Sequence, residues 1–138
     1  MIKTILVSAL VVVAVFGNCG QLRKGNMLVG YYHLTGKDYS AKVIFNGSMS
    51  FTSLEHSELS GICKLVKVSE DFEGSINKDG PCEARVSGSD VTVYLSPTLS
   101  DGGLVFEGHY TEGRIIGTWR IESFAGAKTL GIFEAVRE

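Results

Sequence analysis

Alternation of apolar and polar residues is clearest in the last third of the chain, from Leu104 to Arg137. In the first segment of this region the apolar bulk falls on every second residue, and Glu107 and His109 lie on the other face. A period of two is typical of a strand with one buried face, and glycine-bearing turns separate the segments. The pattern predicts three consecutive antiparallel strands, at 104–110, 114–121 and 129–136.

The region from residue 27 to residue 103 contains shorter strand candidates separated by turn residues. The strongest turn signal is Asn46-Gly47, because this dipeptide favours a two-residue hairpin loop. Residues 55–60 are polar and predict a loop or a single helical turn, and residues 97–103 predict a linker. The other predicted turns are 35–38, 77–81 and 88–90. The predicted strands are 27–34, 40–45, 49–54, 62–69, 72–76, 82–87 and 91–96.

These eight to ten strands, with no long helical pattern, favour an all-β fold, either an antiparallel barrel or a sandwich. Connections of hairpin length favour the up-and-down barrel over a Greek key. Glycines recur in the middle of strands, where they permit the sharp coiling that closure requires; these are Gly108, Gly117 and Gly131. The phrases Gly-Thr-Trp at 117–119 and Gly-x-Phe-x-Ala-x-Arg at 131–137 resemble the closing strands of small lipocalin-like or avidin-like barrels. The resemblance implies a lipocalin-like barrel.

The first residues have the features of an export signal. Lys3 precedes an uncharged apolar run from Ile5 to Phe16, and polarity rises immediately after Cys19. The run is shorter than the about 20 residues of a transmembrane helix. A buried N-terminal strand or helix is the alternative. The predicted organisation is a signal peptide at 1–18, a short tether at 19–26 and a β-barrel domain at 27–138.

The sequence Val15-Phe16-Gly17-Asn18-Cys19 resembles the lipobox of bacterial lipoproteins, with Phe16 and Asn18 in place of the usual residues. The resemblance implies that Cys19 becomes the lipidated N-terminus, carrying a diacylglycerol thioether and an N-acyl chain such as palmitate. Gly20 after the cysteine, rather than Asp, implies delivery to the outer membrane. Type I cleavage after Gly17, which would release a soluble secreted or periplasmic protein, is the alternative.

Three cysteines in an exported chain leave one unpaired if a single disulfide forms. Cys63 and Cys82 lie in strand-like segments of the domain, so lipidation of Cys19 and a Cys63–Cys82 disulfide account for all three. Two free buried thiols are the alternative. The spacing of these cysteines and of the three histidines does not match a zinc site, and we expect neither a metal nor a cofactor.

A formal net charge of −2 provides no basic stripe, which argues against nucleic acid as a partner. The chain has no Gly-x-Ser-x-Gly elbow and no phosphate-binding loop. Glu107 and His109 share one strand face, where a solvated polar surface is the ordinary interpretation. A catalytic role would need Glu107, His109 and Glu112 to converge in a cleft, and we expect a protein that is not an enzyme.

Four residues are candidates for facing a ligand. Tyr31 and His33 cluster on the first predicted strand, where they could line a barrel mouth or be half-buried sheet residues. Tyr110 and Trp119 fall on interior positions, where Trp119 is either a core anchor or a wall on which a ligand stacks. Their bulk, with that of Phe106 and Phe133, would help to fill a small barrel.

The combined prediction is a lipid-anchored protein of the bacterial cell envelope whose barrel is a non-catalytic binding or interaction module. Its partners would be the membrane, through the anchor, and an envelope protein. A carrier that holds a small apolar ligand inside the barrel is the alternative.

Overall fold

The computed structural model describes residues 27–70, 78–96, 103–123 and 126–138. In these residues eight antiparallel strands follow one another around a closed barrel, and the last strand pairs with the first. The all-β, up-and-down barrel predicted from the sequence is therefore confirmed. The strands are β1 (Gly30–Asp38), β2 (Val43–Glu55), β3 (Glu58–Lys67), β4 (Lys78–Ser87), β5 (Asp90–Tyr94), β6 (Gly103–Thr111), β7 (Arg114–Ser123) and β8 (Gly126–Arg137).

The predicted C-terminal meander is confirmed as β6, β7 and β8, and the predicted turn at 88–90 is confirmed between β4 and β5. The predicted loop at 55–60 is instead a tight turn between β2 and β3, where His56 and Ser57 have φ of 51° and 65°. Several predictions lie outside the described residues. These are the signal peptide at 1–18, the tether at 19–26 with Cys19, the strand at 72–76 and most of the linker at 97–103.

The predicted hairpin at Asn46-Gly47 is wrong, because both residues lie inside the long strand β2. Asn46 pairs with Thr35 on one side and with Val66 on the other. A Cβ atom on Gly47 would lie 1.9 Å from the backbone oxygen of Lys64. Gly47 therefore allows the backbones of β2 and β3 to approach closely. In the sequence, the neighbouring Asn46 gives this position the appearance of a turn.

Two other predicted turns are also wrong. Residues 78–81 belong to β4 and pair with β3, where Leu65 faces Lys78 and Ile62 faces Pro81. The first strand begins at Gly30 and continues through the predicted turn at 35–38. In each case pairing with neighbouring strands overrides a local preference for a turn.

The inward side chains fill the barrel. Along β1, for example, Tyr32 and Leu34 are buried, whereas Tyr31 and His33 between them are exposed. The aromatic rings contact one another, and the centroids of Phe106 and Phe133 are 4.9 Å apart. The largest fully buried side chains are Trp119, Tyr32, Phe45, Phe51, Phe106, Phe133, Leu28, Leu34, Met49, Leu59 and Leu65.

The predicted disulfide between Cys63 and Cys82 is confirmed. The two cysteines lie on the neighbouring strands β3 and β4, with Cα atoms 5.9 Å apart, and both side chains are buried. Cys63 pairs with Gly80 and Cys82 with Gly61, so the bond crosses the ladder diagonally. Part of the apolar interior is thus covalently fixed.

Substitution of Gly117 tests whether the mid-strand glycines are required for closure of the barrel. A Cβ atom at this position would lie 1.8 Å from the backbone oxygen of Glu107, so Gly117→Ala must push β6 and β7 apart. We expect a loss of about 1–3 kcal/mol in the free energy of unfolding, measured by denaturant titration. Gly80→Ala is the matched control, since its Cβ would meet nothing closer than 3.8 Å. Equal stability of the two variants would contradict a role for Gly117 in close strand packing.

Candidate functional site

The outer faces of β5, β6 and β7 form an open groove of about 520 Å³. Glycine pairing shapes its floor, because Gly108 faces Gly117 across the β6–β7 ladder. The polar face predicted for β6 lies here, and both Glu107 and His109 are exposed. The lining residues are Asp90, Val91, Thr92, Glu107, Gly108, His109, Gly117 and Thr118.

Two side-chain contacts orient the polar groups of the groove. Asp90 faces His109 in the β5–β6 ladder, and its Oδ1 lies 2.5 Å from His109 Nδ1. This contact leaves Nε2 as the other nitrogen of the imidazole for a partner. On the same side, Glu107 accepts a 2.5 Å hydrogen bond from Arg120.

Arg120 is held between two carboxylates. Its Nε donates to Glu122 at 2.9 Å while its terminal nitrogen donates to Glu107. Partial burial acts to lower the pKa of Arg120, but the hydrogen bond to Glu122 and the charge of Glu107 outweigh burial and raise it. Arg120 stays cationic, and the Glu107 carboxylate is held in one place at the groove.

Of the three residues that a catalytic role would need, only Glu107 and His109 line the groove. Glu112 lies in the turn between β6 and β7 and does not line the groove, whereas Asp90 does. Among the described residues, no three His, Cys, Asp or Glu side chains are grouped as metal ligands. Sequence reasoning missed Asp90, because its pairing with His109 depends on the register between β5 and β6.

Trp119 lies in the interior and is fully buried. Its indole Nε1 donates a 2.9 Å hydrogen bond to the backbone oxygen of Lys37, and its ring meets that of Phe45 edge-on. A Cβ atom on Gly131, its partner in β8, would lie 2.7 Å from this nitrogen. The structure therefore shows Trp119 as an anchor that reaches across β8 to β1.

The three other candidates, two on β1 and one on β6, lie in different places. Tyr31 and the imidazole of His33 are exposed on the outer face, with ring centroids 5.3 Å apart, and so are separated from the interior. Tyr110 is half-buried, packs against the core and donates a 3.4 Å hydrogen bond to the backbone oxygen of Met27. A ligand-facing role for these residues stays a prediction.

Residues 27–29, here called the N-terminal strap, cross the end of the barrel at which β1 begins and β8 ends. Leu28 is 1% exposed and belongs to the core. Tyr32 donates a 2.9 Å hydrogen bond from its hydroxyl to the Leu28 oxygen, and Arg137 donates to the Val29 oxygen. The strap closes this end of the interior.

Burial of the Tyr32 hydroxyl raises its pKa from 10.0 to about 12, although the nearby Arg137 charge opposes the shift. The unfolded chain ionises Tyr32 first, so stability is full below pH 10 and falls as the pH rises from 10 towards 12. One such group contributes at most about 1.4 kcal/mol per pH unit. Denaturant unfolding of the wild type and of Tyr32→Phe between pH 8 and 11.5 measures the effect. Parallel losses in both chains would contradict it.

No protein-family model matches this sequence, and no curated protein matches it. Solved structures are similar in fold. One is the structure of EF1p2_mFAP2b bound to DFHBI, with a TM-score of 0.57 and 14% identity over 84% of this chain and 98% of that chain. Another is a redesigned beta barrel, mFAP1, bound to DFHBI, with a TM-score of 0.54 and 12% identity over 84% of this chain and 99% of that chain. The similarity supports the small closed barrel.

Within the described residues, the structure contains no helix with the length and apolar character needed to span a bilayer.

Proposed function

We propose that the protein is a lipid-anchored protein of the bacterial cell envelope whose barrel acts as a non-catalytic binding module. The observation that carries the binding role is the packed interior, in which Trp119, Phe45, Phe106 and Phe133 contact one another. Because side chains fill the interior, we expect a partner to bind at the outer surface. An envelope protein is the partner we expect there.

The groove on β5–β7 is the surface that best fits such a partner. Its carboxylates are oriented before binding, because Asp90 is paired with His109 and Glu107 is held by Arg120. Oriented charges favour a partner with complementary basic groups and contribute mainly to specificity and association rate.

The membrane anchor is proposed from the apolar leader and Cys19. Seven residues lie between Cys19 and Met27, where the strap begins, and the eight residue steps that join them span at most about 28 Å when extended. Lipidation would therefore hold the strap end of the barrel close to the bilayer, and the opposite end would face away. Outer-membrane delivery is part of this proposal. Cleavage after Gly17 would give a soluble secreted or periplasmic protein.

A carrier of a small apolar ligand is the second candidate. Two barrels of similar fold are bound to DFHBI, and this likeness supports the candidate. In this chain a ligand inside the barrel would have to displace a side chain such as Leu28.

Native mass spectrometry of the protein purified from its own membrane tests these proposals together. We expect an N-terminus at Cys19 with diacylglycerol and acyl mass added, and no retained small molecule. Cys19→Ser is the control, and it should lose the lipid mass and leave the membrane fraction. An unlipidated N-terminus at Asn18 would refute the anchor, and a retained small molecule would favour the carrier.

A further inference from the structure

Three hydrogen-bond donors from three strands converge on the strap. Tyr32 on β1, Tyr110 on β6 and Arg137 on β8 donate to the backbone oxygens of Leu28, Met27 and Val29 respectively. The strap precedes β1 and lies outside the ladder. Within the described residues it is joined to the barrel by these three side-chain donors and by the packing of Leu28 in the core and of Val29 against it.

One of the three donors, Arg137, is a cation, whereas all three present acceptors are neutral carbonyl oxygens. The Arg137 guanidinium lies 5.8 Å from the Tyr32 ring centroid, and among the described residues no carboxylate is paired with it. Charge-assisted hydrogen bonds are about twice as strong as neutral ones. A carboxylate would therefore satisfy Arg137 and the two hydroxyls better than the strap carbonyls do.

Buried apolar side chains lie directly beneath these donors. Leu28 occupies the interior at this end with an exposure of 1%, and the Tyr32 ring below it packs against Phe51 with centroids 6.1 Å apart. A short hydrocarbon chain entering from this end would take the place of the Leu28 side chain.

We propose that the strap end of the barrel is a binding site for a small apolar carboxylate, with the N-terminal strap occupying the site in the unliganded chain. The carboxylate accepts hydrogen bonds from Arg137, Tyr32 and Tyr110, and the tail replaces Leu28. This inference develops the carrier candidate above. Since the strap competes with the ligand, the apparent association constant of the wild type is the intrinsic constant multiplied by the fraction of chains in which the strap is displaced.

Isothermal titration calorimetry with 4-methylpentanoate, whose isobutyl tail matches a leucine side chain, tests the site, using the full-length wild type and Leu28→Ala prepared in the same way. Removing the Leu28 side chain should strengthen 4-methylpentanoate binding at least tenfold. Leu95→Ala is the matched control, because Leu95 is also 1% exposed but lies at the opposite end, beside Leu104. This control should leave 4-methylpentanoate affinity at the wild-type level.

The charge of the ligand is tested separately. In the Leu28→Ala chain 4-methylpentanoate should bind at least tenfold more tightly than 4-methylpentan-1-ol, and Arg137→Gln added to that chain should remove the difference. Equal binding of the acid and the alcohol before this change overturns the proposal, as does equal 4-methylpentanoate affinity of wild type and Leu28→Ala.

A measurement on the wild type covers the case in which Leu28→Ala does not fold. Saturating 4-methylpentanoate should shift the amide NMR signals of residues 27–29 and leave those of Leu95 and Leu104 unchanged. Unmoved strap signals would overturn the proposal. Binding of 4-methylpentanoate here, together with a protein that retains no small molecule from its own membrane, would support the site and count against the carrier role.

Discussion

Trp119→Ala is expected to lower the free energy of unfolding by about 3–5 kcal/mol, enough to unfold much of a small domain. The substitution removes the largest fully buried side chain and its packing against Phe45. It also leaves the Lys37 backbone oxygen without the indole donor, although Lys37 lies in β1 and Trp119 in β7. The indole joins these two strands across β8, so its loss should weaken the closure of the barrel.

Denaturant titration followed by circular dichroism measures this loss. Ile116→Ala is the control on the same strand, since Ile116 is 47% exposed and its truncation should cost well under 1 kcal/mol. Trp119→Phe should fall between the two, because it keeps an aromatic ring and loses the hydrogen bond. A Trp119→Ala chain as stable as Ile116→Ala would show that Trp119 is not an anchor.

Removing the disulfide is expected to have the second largest effect. Cys63 and Cys82 are separated by 19 residues, and a crosslink over a loop of this length stabilises a fold by about 3 kcal/mol through the unfolded chain. The double variant Cys63→Ala with Cys82→Ala should lose about this amount. Alanine is chosen because both sites are buried, and a serine hydroxyl would add a desolvation cost.

Reducing agent provides the internal control. It should lower the stability of the wild type to about that of the double variant and leave the double variant unchanged. Two results together would contradict a structural disulfide. The stability of the wild type would be unaffected by reductant, and both thiols would react with a labelling reagent after unfolding without reductant.

Strand alternation predicted the C-terminal half of the fold well. In β6 and β7 the interior positions carry bulky residues such as Phe106 and Trp119, so the period of two is visible in the sequence. Local turn chemistry was less informative in the N-terminal half. Asn46-Gly47 has the strongest hairpin preference in the chain, yet it lies in the middle of β2. A strand of this length pairs with two neighbours, and those contacts outweigh the local preference.

The candidate site was only partly predictable for a related reason. Glu107 and His109 share one face of one strand, which alternation reveals directly. The pairing of Asp90 with His109 depends on how β5 aligns with β6. Similarly, Tyr32, Tyr110 and Arg137 meet at the strap because β1 begins at the rim where β6 and β8 end. Register of this kind arises from the closed fold and cannot be seen in a single segment.

Pairing of β8 with β1 also affects how the protein behaves at high concentration. Each strand of the described barrel has a neighbour on both sides, so its backbone N–H and C=O groups are not presented as a template. Exposed sheet edges are the usual starting point for aggregation and for strand exchange between copies. Crowded copies of this barrel should therefore remain separate, and an extended peptide could not bind by joining the sheet.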